Sequence, residues 1–192
     1  MPQDASKPGT PSTLPPPRSA DGPYRICCVC LGNICRSPMA EAVLRAELDR
    51  AGLGQAVTVD SAGTGDWQVG KRMDRRARAE LARRSYDGAP HRARQVEPAW
   101  LAQRDLVLAM DRHNLADLRR MAGDDPAERA RIRLLRSFDP RSGPGAEVPD
   151  PYDGKTASFG MVLDLIQAAA RGLAGQLGQA LPGGQPSRRG GR

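Results

Sequence analysis

Residues 24–38 read YRICCVCLGNICRSP, and this stretch decides what kind of fold the remainder of the chain has to build. Residues 24–30 form an apolar run of strand length. Cys30-Leu-Gly-Asn-Ile-Cys-Arg36 is then short, with glycine and asparagine inside it, the residue types that tolerate unusual backbone angles. Ser37 and Pro38 open a helix predicted over 37–52, with serine as N-cap, proline at the first helical position and glycine at the end. A strand that turns tightly into a helix is the first half of a parallel β-α-β unit.

Working outward, apolar runs alternate with helix-period stretches. QAVTVD (55–60) predicts a strand and 74–85 a highly charged helix opening on Asp74. A short helix is predicted over 97–103, a strand over 105–110 and a helix over 111–122. Residues 131–135 predict a fourth strand, 136–157 a Gly/Pro-rich loop and 158–177 a last helix. The expected fold class is therefore α/β: a doubly wound four-stranded parallel sheet with helices on both faces and a phosphate-binding loop after the first strand. In such sheets ligands bind beyond the carboxyl ends of the strands.

The chain has 192 residues, enough for one domain with a real core, although only 39% of residues are hydrophobic. No run approaches the ~18 apolar residues of a membrane span, which excludes a transmembrane helix. Seven of the 17 prolines fall in the first 23 residues among Ser, Thr and Gly. That segment is expected to be a disordered extension, 182–192 a disordered basic tail, and 24–181 the folded domain. Lys plus Arg number 29 against 22 Asp plus Glu. The tail carries +3 of the resulting +7, so the body has a modest excess and is not expected to bind nucleic acid. The N-terminus, MPQDASKPGT, lacks the basic-then-apolar pattern of a secretory signal. The four cysteines (Cys27, Cys28, Cys30 and Cys35) lie within nine residues, which reads as a site in a reducing compartment rather than a disulfide scaffold. A cytoplasmic location is expected, with export by a route needing no signal peptide left open.

A cysteine followed five residues later by arginine suits one task. The backbone of Leu31, Gly32, Asn33, Ile34 and Cys35 can curl so that its N–H groups converge, and the helix at Ser37 adds its dipole. Arg36 supplies a planar fork for two oxygens of a tetrahedral oxyanion. Such a positive field favours the Cys30 thiolate, Ser37 can donate to the sulfur, and the set suits attack on phosphorus with a cysteinyl-phosphate intermediate. Cys27 and Cys30 also make a C-x2-C pair, but no second pair or histidine cluster follows for zinc, and a redox pair of that spacing belongs after the strand, not inside it. Cys27 and Cys28 read as core residues. A GxxxxGK[ST] nucleotide loop is absent.

VCLGNICRSPMAE (29–41) resembles the active-site signature of the low-molecular-weight protein tyrosine phosphatases. DSAGTGDW (60–67), HRARQV (91–96), AMDRHNL (109–115), LLRSFDP (134–140) and PDPY (149–152) follow in that family's order, over about 24–178, and look most like its actinobacterial branch. The resemblance implies a phosphotyrosine-hydrolysing enzyme with Cys30 as nucleophile, Arg36 as phosphate binder and Asp150 as general acid and base. Taken alone, Asp150 between two prolines is an ordinary turn residue. It further implies that Asn33, Ser61 and His91 brace the loop and that Trp67 and Tyr152 flank the cleft. Cys35 would form a reversible disulfide with Cys30 or remain a buried spectator. Asp111 matches a further position of that family at a strand's carboxyl end or is only a helix N-cap, and it is kept outside the catalytic set.

Where the family often has DPYY, this chain has Asp153, which should disfavour acidic peptides. Arsenate reduction would need cysteines after Cys35, and none follows. An arginine-phosphate phosphatase would be expected to carry Thr in place of Ile34. A binding module without activity would be expected to lose Cys30, Arg36 or Asp150, and all three are present. Expected partners are phosphotyrosine proteins or peptides, with inorganic phosphate as product, on a monomer or weak dimer. No metal or organic cofactor is implied.

Overall fold

Strand β1 (Tyr24–Cys30) sends alternate side chains to opposite faces of a sheet and is covered on both. Ile26, Cys28 and Cys30 join one core cluster, and Cys27 and Val29 join another. This alternation separates Cys27 from Cys30, because a spacing of three places them on opposite faces. Cys27 and Cys28 are the core cysteines the sequence suggests, and burial pushes both thiols well above the ordinary range.

A computed structural model describes residues 14–88, 90–154 and 158–181. In it β1 pairs in parallel with β2 (Val57–Gly63) from Tyr24↔Val57 to Cys30↔Gly63, and with β3 (Leu106–Ala109) from Ile26↔Leu106 to Val29↔Ala109. Strand β4 (Ile132–Leu134) lies outside β3, giving the order β2-β1-β3-β4. The chain leaves β1 through α1 (Arg36–Arg50) to one edge, then returns past β1 to the other side. The winding therefore reverses at β1, and the crevice at its carboxyl end is the binding position of a doubly wound sheet.

One face carries α1, α2 (Arg75–Arg83) and α6 (Phe159–Ala180), through Met39, Val43, Leu48, Leu81, Val162 and Ile166. The other carries α3 (Pro98–Leu101) and α4 (Arg112–Met121), through Leu101 and Leu118 packed on Val107 and Ile132. Two short elements lie outside the sequence reading. Helix α5 (Pro126–Ala130) is capped by Asp125, and a 3-10 turn (Leu135–Phe138) occupies the start of the predicted loop.

The start of α1 differs from the expectation. Its N-cap is Cys35, which makes no side-chain cap, and Ser37 sits inside the first turn. Strand β2 also runs three residues past Asp60, because its register with β1 carries pairing through Ser61 to Gly63.

The expected disorder of 1–23 does not extend to its second half. Pro15 is buried and Leu14 packs against the core. The Tyr24 hydroxyl donates to the Pro15 carbonyl at 3.0 Å, and Arg18 N–H donates to Asp105 Oδ1 at 2.6 Å. The Arg18 guanidinium reaches the Glu128 carboxylate and the Leu101 and Arg104 carbonyls. Counting apolar side chains overlooks such a strap, which is held by backbone carbonyls, the Asp105 and Glu128 carboxylates and two arginines, Arg18 and Arg131. Burial pushes the Tyr24 phenol up to about 12, with the nearby Asp105 charge adding to it. Residues 1–13 and the 182–192 tail lie outside the described residues.

Candidate active site

The loop after β1 is organised around Asn33. Its side chain is fully buried and its φ is 53°, so the left-handed position falls on Asn33, and Gly32 does not need it. Asn33 N–H donates to Cys30 Sγ at 3.3 Å. Its Nδ2 donates to Ser37 Oγ at 2.8 Å and to Ser61 Oγ at 2.9 Å, and its Oδ1 accepts from Arg94 N–H at 2.9 Å. The Asn33 carbonyl lies 2.7 Å from His91 Nε2, and because a carbonyl only accepts, the imidazole donates there. Burial holds His91 below the ordinary histidine value despite that bond. Ser61 in turn donates to Glu41 Oε2 at 2.5 Å. Asn33, Ser61 and His91 are thus brought together behind the loop.

Cys30 is buried at the end of β1, with Ser37 Oγ 3.0 Å from its sulfur. The same hydroxyl lies 3.2 Å from the Ala62 carbonyl. With one proton and two acceptors, Ser37 can direct that proton to a negative sulfur or to the sheet. This explains why Ser37 does not cap α1.

Arg36 crosses below the loop with its side chain 4% exposed. Its Nη1 donates to Asp111 Oδ2 at 2.6 Å and to the Val148 carbonyl at 3.2 Å, and its Nη2 donates to Asp150 Oδ2 at 2.7 Å. No acceptor for Nε–H is found among the described residues, and Nε shares one edge of the guanidinium with Nη2, the geometry of a two-pronged donor. Burial disfavours the Arg36 charge, but Cys30, Asp150 and Asp111 outweigh it and raise its pKa.

A small pocket of about 90 Å³ brings Cys30, Arg36 and Asp150 together with Leu31, Gly32, Ile34, Cys35, Trp67, Gln68 and Tyr152. Trp67 and Tyr152 are more than half exposed, which places both rings at the mouth rather than in the core. The Trp67 ring lies over Gly65, where a Cβ would come within 2.1 Å of it. Asp153 is exposed beside Tyr152 and does not line the pocket. The Cys35 thiol is raised well above its usual value, by burial first and then by the charges of Asp74, Cys30 and Asp150. A larger cavity of about 330 Å³ lies between Glu41, Arg45, Met73 and His91, and no cysteine is among the described residues that line it.

The sequence reading keeps Asp111 outside the site and does not single out Glu41 or Gly63. Asp111 does cap α4, accepting from Asn114 N–H at 2.7 Å, but its other oxygen holds Arg36. Glu41 anchors Ser61; its place in VCLGNICRSPMAE, one helical turn past Ser37, was the available signal. Gly63 ends β2 against the loop, and a Cβ there would meet the Leu31 carbonyl at 2.6 Å. The signal for Gly63 was its place in DSAGTGDW.

A buried thiol, an arginine and a carboxyl are thus brought to one pocket beside the start of α1. The sequence profile of the low molecular weight phosphotyrosine protein phosphatase family matches residues 25–182, and the chain belongs to that family. It is 51% identical over 153 residues to a low molecular weight protein-tyrosine-phosphatase of Streptomyces coelicolor, covering 78% of this chain and 91% of that one. It is 45% identical over 166 residues to low molecular weight protein-tyrosine phosphatase A of Mycobacterium tuberculosis, covering 86% and 98%. Among solved structures, YfkJ from Bacillus subtilis superposes with a TM-score of 0.77 at 34% identity, covering 84% of this chain and 99% of that one. The protein is accordingly an enzyme, a phosphoric monoester hydrolase. Among the described residues no helix is long and apolar enough to cross a membrane.

Proposed function

We propose that the protein hydrolyses phosphotyrosine in proteins or peptides through a cysteinyl-phosphate on Cys30. The observation that carries this reading is the joint geometry of Cys30, Ser37, Arg36 and Asp150 at one pocket. The Cys30 thiolate attacks phosphorus, the bond to the phenolic oxygen breaks, and Asp150 gives that oxygen its proton. The loop N–H groups and the Arg36 guanidinium hold the phosphoryl oxygens. Ser37 donates to the sulfur as it leaves in the second step. There the Asp150 carboxylate takes a proton from water, the water oxygen attacks phosphorus, and the S–P bond breaks to release inorganic phosphate.

Trp67 and Tyr152 at the mouth favour a flat aromatic leaving group, and Asp153 beside them disfavours acidic flanking residues. The depth of the pocket favours the long phosphotyrosine side chain over phosphoserine. Ile34 lacks the hydroxyl associated with arginine-phosphate hydrolysis. The clustering of all four cysteines within nine residues supports a reducing, cytoplasmic setting. We read the catalytic unit as a monomer or weak dimer.

The test is phosphate release from matched phosphotyrosine, phosphoserine and phosphoarginine peptides by the native protein and Cys30→Ser. Release from phosphotyrosine alone, lost in the variant with phosphate still bound, is expected. A preference for phosphoarginine would overturn the substrate assignment, and unchanged release by Cys30→Ser would overturn the mechanism.

A further inference from the structure

The first turn of a helix disfavours positive charge, yet α2 begins with Arg75 and Arg76. Arg76 is held there by contacts that have little to do with the helix itself. Its Nε donates to Asp74 Oδ1 at 3.1 Å and its Nη2 to Asp74 Oδ2 at 3.0 Å, a two-pronged clasp. The same Nη2 donates to the Tyr152 carbonyl at 3.1 Å. The guanidinium also lies 5.6 Å from the centre of the Tyr152 ring and 4.8 Å from that of Phe159, the first residue of α6.

Each end of this clasp meets the catalytic pocket. Asp74 N–H donates to the Ile34 carbonyl of the phosphate loop at 2.8 Å, while Tyr152 N–H donates to Asp150 Oδ1 at 3.1 Å. A continuous path therefore runs from Ile34 through Asp74, Arg76 and Tyr152 to the Asp150 carboxyl. Arg76 hydrogen bonding, against the opposing effect of partial burial, holds the Asp74 carboxyl below its ordinary value, so the anchor is charged. The Arg76 side chain is 49% exposed, and an exposed ion pair of this kind adds little to global stability.

We propose that Arg76 is a positioning residue: it ties the Asp150–Tyr152 segment to the phosphate loop and thereby sets where the proton donor sits relative to the leaving oxygen. The inference rests on Asp150 being the acid. A carboxyl displaced from the leaving oxygen delivers its proton late, and the loss grows with the basicity of the leaving group.

The experiment measures kcat/KM over aryl phosphates of graded leaving-group pKa for the native protein, Arg76→Ala, Asp74→Asn and Asp150→Ala, with a thermal melt of each. Arg76→Ala should lower kcat/KM about 10-fold for a tyrosine-like phenol and less than about 2-fold for a nitrophenol, with little change in Tm. Asp74→Asn retains the cap of α2 and weakens only the clasp, so it should move the slope the same way by less. It also carries the test if Arg76→Ala fails to fold. An unchanged slope in both variants, whatever the absolute rate, overturns the proposal. An unchanged slope in Asp150→Ala would instead overturn the acid assignment beneath it.

Discussion

Arg36 Nη2 and Asp150 Oδ2 lie 2.7 Å apart, so the group read as the phosphate binder and the group read as the proton donor are in direct contact. Asp111 holds the other arm of the same guanidinium at 2.6 Å. Two carboxylates therefore hold both terminal nitrogens of one guanidinium, Asp111 at Nη1 and Asp150 at Nη2.

Replacing Asp150 separates these two duties. Asp150→Ala should lower kcat/KM about 100-fold or more for poor leaving groups and far less for activated ones. Asp150→Asn keeps a polar partner for Arg36 but has no proton to give, and it should follow the alanine variant. Steady-state kinetics on a phenyl and a nitrophenyl ester decide this, and equal slowing of both would remove Asp150 as the acid.

Asn33 combines a left-handed backbone with a side chain that satisfies both serines. Asn33→Ala should destabilise the protein by about 2–4 kcal/mol through unpaired buried groups and backbone strain. Asn33→Gly loses the same side-chain bonds but relieves the strain, and should recover part of the loss. Denaturant unfolding of the pair measures the two contributions, and equal stabilities would show that the φ of 53° costs nothing.

His91 gives a pH dependence of definite sign. Its folded-state pKa lies below the ordinary 6.5, so the unfolded chain takes up a proton that the folded one resists. Its contribution is fully present above 6.5 and is lost as pH falls from there through the folded value. His91→Gln can still donate to the Asn33 carbonyl without titrating. The fall in Tm between pH 7 and pH 5 should be smaller in this variant, and an equal or larger fall would contradict the assignment.

If Cys35 is a resolving thiol, peroxide would convert Cys30 to a sulfenic acid, and attack by the Cys35 sulfur would expel water and form a disulfide. With native protein, activity lost to dilute peroxide should return on adding a dithiol. With Cys35→Ser a substantial fraction should stay lost. Equal recovery would leave Cys35 as a packing residue.

Trp67 is exposed at the mouth, so truncating it should disturb recognition rather than folding. Trp67→Ala should reduce kcat/KM for aryl phosphates about 10-fold more than for small alkyl phosphates, with Tm nearly unchanged. An unchanged ratio would retire the ring as a substrate contact.

The alternation of strands and helices was legible because each apolar run is bounded by polar or glycine residues, and the Cys30–Arg36 spacing marked the loop. Ser37 shows where local rules stop. Serine before proline is a fair N-cap by propensity, but the hydroxyl is committed to a sulfur seven residues earlier. The apolar alternation of QAVTVD ends at Asp60, whereas pairing of Ser61 with Cys28 continues β2 inside the sheet. Asp111 was legible as a cap, but its second oxygen meets an arginine 75 residues away, which no local pattern encodes. Arg76 was one cation in a charged helix, and only the packing of α2 beside the Asp150 segment sets it apart.

The strap of residues 14–23 has a practical consequence for handling the protein. Its anchors, Asp105, Glu128 and Arg131, precede β3 and β4 in the chain and lie at the amino ends of the parallel strands. Cys30 is at the carboxyl end of its own strand. An affinity handle or fluorophore fused ahead of Leu14 therefore joins the fold at the pole away from the thiol. Immobilisation through that end should leave the mouth open to large phosphorylated substrates, whereas trimming the chain back to Tyr24 would strip a hydrogen-bonded brace from the base of the sheet.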